Sequence, residues 1–412
     1  MAVKQDYIDI MVGIPGFSVK RVSSHEFEDG LHLMIELSRK HKKYRCRCGR
    51  EFQSYYDGDE RSVRDLAYGP FKRSCLVFFQ VRVDCPDCGV VTESLDWVLP
   101  RVEYSKRLAA AVALACHEIR SLKSVAAQFG LHEKTVKRID KEALAEELPS
   151  PGDFSPRLLG VDEFALRKRH VYATVVADLG GVKPSVCYVG KDRRKESLDA
   201  FFRELGPDKC RGIEAVAIDM WRPYENSVRE YCPQAAIVYD PFHVVASYNR
   251  DVIDSLRREE SWSAMGRMLS VLKGSRWLLL KRRQNLDPGR DEPARLAELM
   301  RLNNRLFKAY LLGDDLRRVW EYRSEAWARK WFDDWYRRAM RSGVEQVKNF
   351  ARKLKKRLDG ILSHCRYPIH TGYMEGIITK IKVIKRVAFG FRDLEYFFLK
   401  IRSAFRPEVT HA

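Results

Sequence analysis

The chain has 412 residues, with 75 Lys and Arg against 56 Asp and Glu, a formal net charge of +19. At about 150 residues per domain this points to two to four domains, and 45% hydrophobic with 32% charged residues excludes disordered, collagen-like and disulfide-scaffold classes. The positive excess favours a polyanionic partner, nucleic acid first; solubility and anionic lipid are the blander readings, and no basic amphipathic segment abuts an apolar span to support the lipid one.

The N-terminus, MAVKQDYIDIMVGIPG, lacks the basic head and apolar run of a secretory signal. The longest apolar stretch, Leu108 to Cys116, is far short of the roughly 20 residues of a spanning helix. A cytoplasmic protein without a membrane partner is expected. Between Lys43 and Val98 the chain is rich in short β-type runs and carries four of its ten cysteines in two tight pairs. These are Cys46-Arg47-Cys48-Gly49 and Cys85-Pro86-Asp87-Cys88-Gly89. A glycine after each pair suits a knuckle whose amides turn toward thiolates, and four thiolates make a closed tetrahedral zinc site of the structural kind. The 36 residues between, 49 to 84, have room for a small antiparallel sheet with Leu76 to Val83 as its last strand. Free thiols or two disulfides are the alternatives; disulfides do not suit a chain without an export signal. The first pair is Cys-x-Cys, so Cys75 stands as a substitute ligand.

From Ser105 to Leu148 the pattern is helical, and Leu122 to Ile139 has the form of a helix-turn-helix. Small Ala126 lets two helices cross, Gly130 permits the left-handed turn, and Leu131, Val136 and Ile139 face inward. The second helix then presents Glu133, Lys134, Thr135, Lys137 and Arg138 for entry to a DNA major groove. An ordinary helical hairpin has the same outline. Pro149-Ser150-Pro151-Gly152 reads as a linker.

Five buried-strand candidates follow: 158–161, 172–177, 185–189, 215–218 and 235–239. Helix candidates Glu196 to Leu205 and Pro223 to Tyr231 separate the last three. The order predicts an α/β sheet with an antiparallel start and a parallel finish. Asp162, Asp219 and Asp240 each stand where an apolar strand stops. A buried carboxylate is costly unless paired or metal-bound, although any one of them also suits a turn cap. The strand order, with Asp on the first and fourth strands, is that of the ribonuclease H-like fold. From Val244 to Leu362 the pattern is helical and holds Trp262, Trp277, Trp320, Trp327, Trp331 and Trp335. These serve as a helical core or as DNA and partner contacts. A last helix from Tyr373 to about Arg386 carries Ile377, Ile381 and Ile384 on one face and Glu375, Thr379, Lys382 and Arg386 on another. That pattern suits a metal ligand backed by phosphate contacts, with Lys380 beside them, or a solvated basic helix with an acidic N-terminus.

Taken together, these segments resemble the ISL-three family of bacterial insertion-sequence transposases over nearly the whole chain. The resemblance rests on the four cysteines, the helix-turn-helix, Gly160-Val161-Asp162-Glu163-Phe164 with Arg167-Lys168, and the Tyr-Ala-Thr-Val-Val run at 172–176. It rests further on Asp240-Pro-Phe-His243 and on Glu375-Gly-x-x-x-Lys-Ile-Lys-x-Ile-Lys-Arg with Gly390-Phe391-Arg392. It implies a DDE triad of Asp162, Asp219 and Glu375, spaced 57 and 156 residues apart, with Asp240 and His243 as supports. It implies two Mg²⁺ (or Mn²⁺) ions about 4 Å apart. It also implies a nucleoid-associated DNA transposase that binds terminal inverted repeats and target DNA as a homodimer or higher oligomer. The domains expected are a zinc ribbon (1–100), the helix-turn-helix (101–150), a ribonuclease H-like DDE core (151–248 and 364–412) and a helical insertion (249–363). Two departures stand out: Ile378-Thr379 replaces the family's paired Asn, and Tyr373-Met374 replaces polar or Pro residues before the Glu. The competing readings are a non-catalytic, transposase-derived DNA-binding regulator and a structure-specific nuclease of the same fold.

Overall fold

In the segment Gly30–Arg39 alternate residues Leu33, Ile35 and Leu37 are buried, the period of two that a half-covered strand requires. The structure is a computed structural model describing residues 5–117, 121–167, 171–273, 275–369, 372–388 and 391–407. Lys168 and Gly390, from the motifs above, lie outside the described residues. The chain divides into two compact units, Met1–Glu147 with Ile384–Leu399, and Leu148–Val383 with Lys400–Ala412. Among the described residues no helix is long and apolar enough to cross a membrane.

The first unit begins with α1 (Gln5–Val12), β1 (Phe17–Phe27) and β2 (Gly30–Arg39), then short β3 (Tyr44–Arg45) and β4 (Glu51–Phe52). β5 (Asp57–Asp65), β6 (Arg73–Cys85) and β7 (Gly89–Thr92) follow, then helices α2 (Lys106–His117), α3 (Leu122–Phe129) and α4 (Glu133–Glu147). The main sheet has the order β1-β2-β6-β5, with β7 also on β6. Three expectations change here. The hairpin of β1 and β2 precedes the cysteine segment, and β2 pairs with β6 in parallel, so the sheet is mixed. Its last strand is β7, because the chain turns back at the second cysteine pair and pairs with β6 again. Phe17, Ile35, Leu76, Phe78 and Trp97 fill the core of this sheet. The three helices have their own core, including Leu108, Val112, Val125, Val136 and Ile139.

A buried ionic cluster ties α2 to the end of β5. Asp65, 1% exposed, accepts from Arg107 Nε at 2.7 Å and from the hydroxyls of Ser105 and Tyr68. Arg107 also donates to the Val12 carbonyl at 2.6 Å, so one guanidinium joins α1, the sheet and α2.

The second unit holds β8 (Leu158–Arg167), β9 (Val171–Asp178), β10 (Ser185–Gly190), α5 (Lys195–Leu205) and α6 (Pro207–Arg211). Then come β11 (Ala215–Ile218), α7 (Arg222–Tyr231), β12 (Ala236–Tyr239) and α8 (Pro241–Tyr248). The sheet order is β10-β9-β8-β11-β12. β8, β9 and β10 pair antiparallel, while β8, β11 and β12 pair parallel, as the element order predicted. One placement differs: β8 runs on to Arg167, so Asp162 is inside the strand rather than at its end. On one side β8 stays paired to β9 past Asp162, opposite Val175. On the other, the ladder with β11 ends at Gly160, which leaves Asp162 beyond the end of its parallel neighbour.

A π-helical turn (Asn249–Asp254) leads from α8 into α9 (Ser255–Ser263), α10 (Gly266–Leu272), α11 (Arg276–Leu280), α12 (Glu292–Leu302) and α13 (Asn304–Arg317). Next are α14 (Glu325–Met340), α15 (Glu345–Lys355), α16 (Leu358–Arg366), α17 (Gly372–Val387) and α18 (Leu394–Ala404). The sheet and the helical region share one continuous core that runs from Leu159 and Val216 through Tyr239 and Tyr248 to Trp335 and Ile361. The tryptophans divide: Trp335 is fully buried and Trp320 and Trp331 pack partly against this core, whereas Trp262, Trp277 and Trp327 are exposed. Two glycines let helices approach the sheet. A Cβ on Gly360 of α16 would lie 2.4 Å from the Tyr239 ring, and one on Gly160 of β8 would lie 2.6 Å from Met374 Sδ of α17.

Truncating Arg107 to Ala leaves a buried carboxylate without its cation, and the first unit is expected to lose about 3 kcal/mol. Chemical denaturation of the Arg107→Ala chain checks this; an unchanged midpoint would refute the role given to the cluster.

Candidate functional site

The carboxyl ends of the parallel strands form a half-enclosed pocket. Val161, Asp162, Ile218, Asp219, Asp240 and His243 line it together with Ile369 and Met374. Asp162 enters from β8, Asp219 follows β11 directly, and Asp240 follows β12. The Asp240 carboxylate caps α8 by accepting from the Phe242 amide at 2.7 Å. The turn-cap role therefore holds for Asp240, and that cap starts the helix whose first turn delivers His243 to the middle of the pocket. His243 Nδ1 is 3.1 Å from Asp219 Oδ1, and Nε2 is 3.7 Å from Asp162 Oδ1 and 3.9 Å from Asp240 Oδ2.

Around this imidazole the titrations of His243, Asp219 and Asp240 are displaced. Burial alone would lower the His243 pKa, but Asp162, Asp219 and Asp240 outweigh it and push it up to about 9. Burial is also what raises Asp219, with the Asp162 charge adding to it and His243 opposing. Asp240 is pushed up to about 6, by burial first, against the pull of His243. The imidazolium thus supplies the cation that closely placed carboxylates need.

Glu375 sits in the first turn of α17. It is exposed, and it is not among the residues lining the pocket, although its neighbour Met374 is. The structure therefore brings Asp162, Asp219, Asp240 and His243 together and sets Glu375 on the helix packed over Gly160. The turn into α17, residues 370–371, lies outside the described residues. Farther along α17, Lys382 and Arg386 are exposed. Lys380 instead donates to the Ala404 carbonyl at 2.7 Å and lies over the Phe405 ring.

Sequence reasoning passed over the groove beside Asp219. There Arg193 stacks on Tyr172 and Trp221 and reaches Glu163 at 3.4 Å. The signal available was the run Lys191-Asp192-Arg193-Arg194-Lys195 just after a buried strand.

In the first unit, Cys46, Cys48, Cys85 and Cys88 place their sulfurs within 4.8 Å of one another. Among the described residues this is the one group of three or more such side chains close enough to share an ion. A tetrahedral zinc with Zn–S bonds of about 2.3 Å sets its sulfurs about 3.8 Å apart, and Cys48 Sγ lies 3.7 Å from Cys85 Sγ. The cluster fits zinc. Gly49 and Gly89 adopt positive φ, +92° and +69°, which turns each knuckle back on its cysteines. Backbone hydrogen bonding at Arg50 brings the Cys48 thiol down to about 7, while, against a backbone hydrogen bond at Cys48, burial and the neighbouring sulfurs push Cys46 up to about 11. Cys75 lies near the start of β6, outside the cluster.

The helix-turn-helix forms as α3 and α4. Ser121 caps α3 by accepting from the Ser124 amide at 3.1 Å, and Gly130 turns the chain at φ +58°. Arg64 of β5 donates to the Gly130 and Phe129 carbonyls at 2.7 and 3.0 Å, so the sheet holds the turn. Val136 and Ile139 are buried, and Leu131 packs partly against them. Lys134 and Arg138 are exposed and Thr135 is half-buried. Lys137 is 2.8 Å from the Asp393 carboxylate, which Lys141 also approaches at 3.3 Å. The hydrogen bond to Lys137, assisted by the Tyr396 amide and Lys141, holds the Asp393 carboxyl down at about 2.

Comparison with known proteins follows the same division. A family model described as a transposase matches residues 159–401, and one described as the helix-turn-helix domain of transposase family ISL3 matches residues 93–144. The chain is 41% identical over 400 residues to the transposase for insertion sequence element IS1001 of Bordetella parapertussis, covering 95% of this chain and 96% of that one. It is 28% identical over 391 residues to the transposase for insertion sequence element IS1557 of Mycobacterium tuberculosis, covering 85% and 83%.

Two outcomes are expected. Replacing Cys48 and Cys88 by Ser removes the bound metal, read by elemental analysis as a fall from one zinc per chain, which is about the content a closed four-thiolate site implies; retention of zinc would rule out this ligand set. The ion pair of Asp393, whose folded pKa lies below the unfolded one, stabilises the fold above the ordinary carboxylate range and is lost as pH falls toward 2. In a carboxyl NMR titration, Lys137→Ala should return Asp393 toward its ordinary value; an unmoved titration would show that Lys137 does not hold it.

Proposed function

Because the chain belongs to the ISL3 (ISL-three) family of insertion-sequence transposases, we propose that it cuts and joins DNA at the ends of its element through a DDE triad of Asp162, Asp219 and Glu375. The observation that carries this reading is the convergence of Asp162 and Asp219 on His243 at the ends of β8 and β11. Those carboxylates, with Asp240, leave more negative charge than one imidazolium offsets; three of them do not yet lie close enough to share one ion, so divalent cations would draw them together in place of the His243 proton. Two bound Mg²⁺ (or Mn²⁺) ions would polarise the scissile phosphate and favour the ionised form of the attacking hydroxyl. The sheet order supports a ribonuclease H-like reading of 151–248; 364–412 would complete that core, with 249–363 inserted between its last strand and its last helix.

Within that scheme the side chains position rather than react. Asp162, Asp219 and Glu375 would hold the ions, Asp240 fixes α8 and so His243, and Met374 packs α17, which carries Glu375, against Gly160. Water attacks phosphorus and the bond to the 3′ oxygen breaks, leaving a 3′-hydroxyl. That hydroxyl then attacks a target phosphodiester and displaces its 3′ oxygen, so no bond to the protein forms. Lys382 and Arg386 lie along α17 where the DNA backbone would pass. The zinc ribbon (1–100) and the helix-turn-helix (101–150) grip the terminal inverted repeats, with Lys134, Thr135 and Arg138 offered to the groove. Lys137 joins them by exchanging Asp393 for phosphate. Cutting two ends together calls for a homodimer or a larger assembly.

A supercoiled plasmid carrying the element ends, incubated with Mg²⁺ or Mn²⁺, tests the reading. Asp219→Asn should lower end cleavage by about a thousandfold while end binding persists. Glu375→Gln should do the same and Asp240→Asn should cost far less; the reverse ranking would make Asp240 the third ligand. Binding of ends without cleavage by the unaltered chain would favour a DNA-binding regulator, and equal cutting without the repeats a structure-specific nuclease.

A further inference from the structure

Beside Asp219 an open groove of about 540 Å³ lies between the start of β9 and the start of α5, lined by Tyr172, Lys191, Arg193, Arg194 and Trp221. Its aromatic floor is built. The Arg193 guanidinium lies over the Tyr172 ring at 4.9 Å and over the Trp221 ring at 5.0 Å. The indole N–H of Trp221 donates to the Arg193 carbonyl at 3.2 Å. Trp221 is thus held in place from one side and still 40% exposed. Its own amide donates to the Asp219 carbonyl at 2.6 Å, so the ring and the carboxylate share one tight turn.

The cations around the groove are not equivalent. Lys195 is taken by Asp199 at 2.6 Å and Glu230 at 2.8 Å, and Arg193 is engaged with Glu163 and the two rings. Asp192 accepts from Ser197 and the Arg194 amide. Lys191 and Arg194 are left exposed at the rim, with Asp192 the nearest carboxylate to Arg194, at 3.9 Å. A flat aromatic face with two exposed cations beside it suits one unstacked nucleotide: the base lies on the ring and the phosphates meet the cations.

We propose that this groove holds the first nucleotide of flanking DNA beyond the scissile phosphate, its base on Trp221 and its backbone on Lys191 and Arg194. The inference rests on the reading of the Asp162–Asp219 site as the place of cleavage. Flanking DNA differs at every insertion, so a contact there must accept any base. Stacking does so, because every base has a π face, while a hydrogen-bonding pocket does not.

The test uses the full-length chain and a duplex carrying an element end with its flank, with 2-aminopurine placed in turn at the first flanking positions. One position should change its fluorescence on binding. Trp221→Ala should remove that change and Trp221→Phe should keep it. The surface double variant Lys191→Glu with Arg194→Glu leaves the aromatic packing alone; it should weaken binding of flank-bearing DNA by about tenfold relative to DNA that stops at the end. End cleavage by the unaltered chain with no responsive position, or with a response that survives Trp221→Ala, overturns the groove and leaves the cleavage reading intact. A Trp221-dependent response in a chain that cuts no end supports the groove and overturns the cleavage reading. Failure to bind flank-bearing DNA more tightly than the truncated end overturns the groove.

Discussion

Negative charge held out of water governs the second unit. Asp162, Asp219 and Asp240 are carried to one pocket by three parallel strands, and burial raises the cost of ionising Asp219 and Asp240. Their field keeps a proton on His243 to about 9. The imidazolium is thus the positive charge that partners the buried carboxylates in the pocket. Much of the local architecture serves this arrangement. The parallel ladder stops at Gly160 so that Asp162 clears β11, and the Asp240 cap starts α8 at the point that aims His243 inward.

Close approach is the second constraint. The sulfur of Met374 sits where a side chain on residue 160 would be, and the ring of Tyr239 sits where one on residue 360 would be. Both contacts bring a helix from late in the chain against a strand from early in the fold, and in a close-packed interior neither has spare room. Tyr373-Met374 departs from the pattern expected before Glu375, and in the structure Met374 packs against β8 at Gly160. The continuous core from Leu159 to Ile361 means that the helical region does not merely hang from the sheet.

The first unit solves a different problem. Its sheet and the helices α2, α3 and α4 have separate cores, and polar side chains join them: Arg107 binds Asp65 across the junction, and Arg64 reaches from β5 to the turn of the helix-turn-helix. The four cysteines gather at the tip of the β6–β7 hairpin. Asp393 occupies Lys137 of the second helix, so part of the basic face carries its own counter-charge, in the place a phosphate would take.

Local chemistry was legible in the amino-acid sequence. The cysteine pairs with their glycines, the Ala126–Gly130 turn, the five apolar strands of the second unit and the helix around Glu375 are short patterns whose meaning depends on near neighbours. The strand order followed from their alternation with helices. The β1–β2 hairpin was passed over: β2 alternates Leu33, Ile35 and Leu37, but β1 buries only Phe17 and Val19 and leaves Val22 and Phe27 exposed, so its pattern does not alternate. What tertiary structure alone decided were the long-range pairings: β2 beside β6 in parallel, Asp162 inside a strand that continues on one side and ends on the other, and Lys137 and Lys380 turned to partners within the chain. It also decided which carboxylates line the pocket with Asp162 and Asp219, setting Asp240 among them and Glu375 at the exposed start of α17. A periodicity states which face of an element is apolar. It does not state which distant element covers that face or how far a strand outruns its neighbour, because those depend on packing between residues hundreds of positions apart.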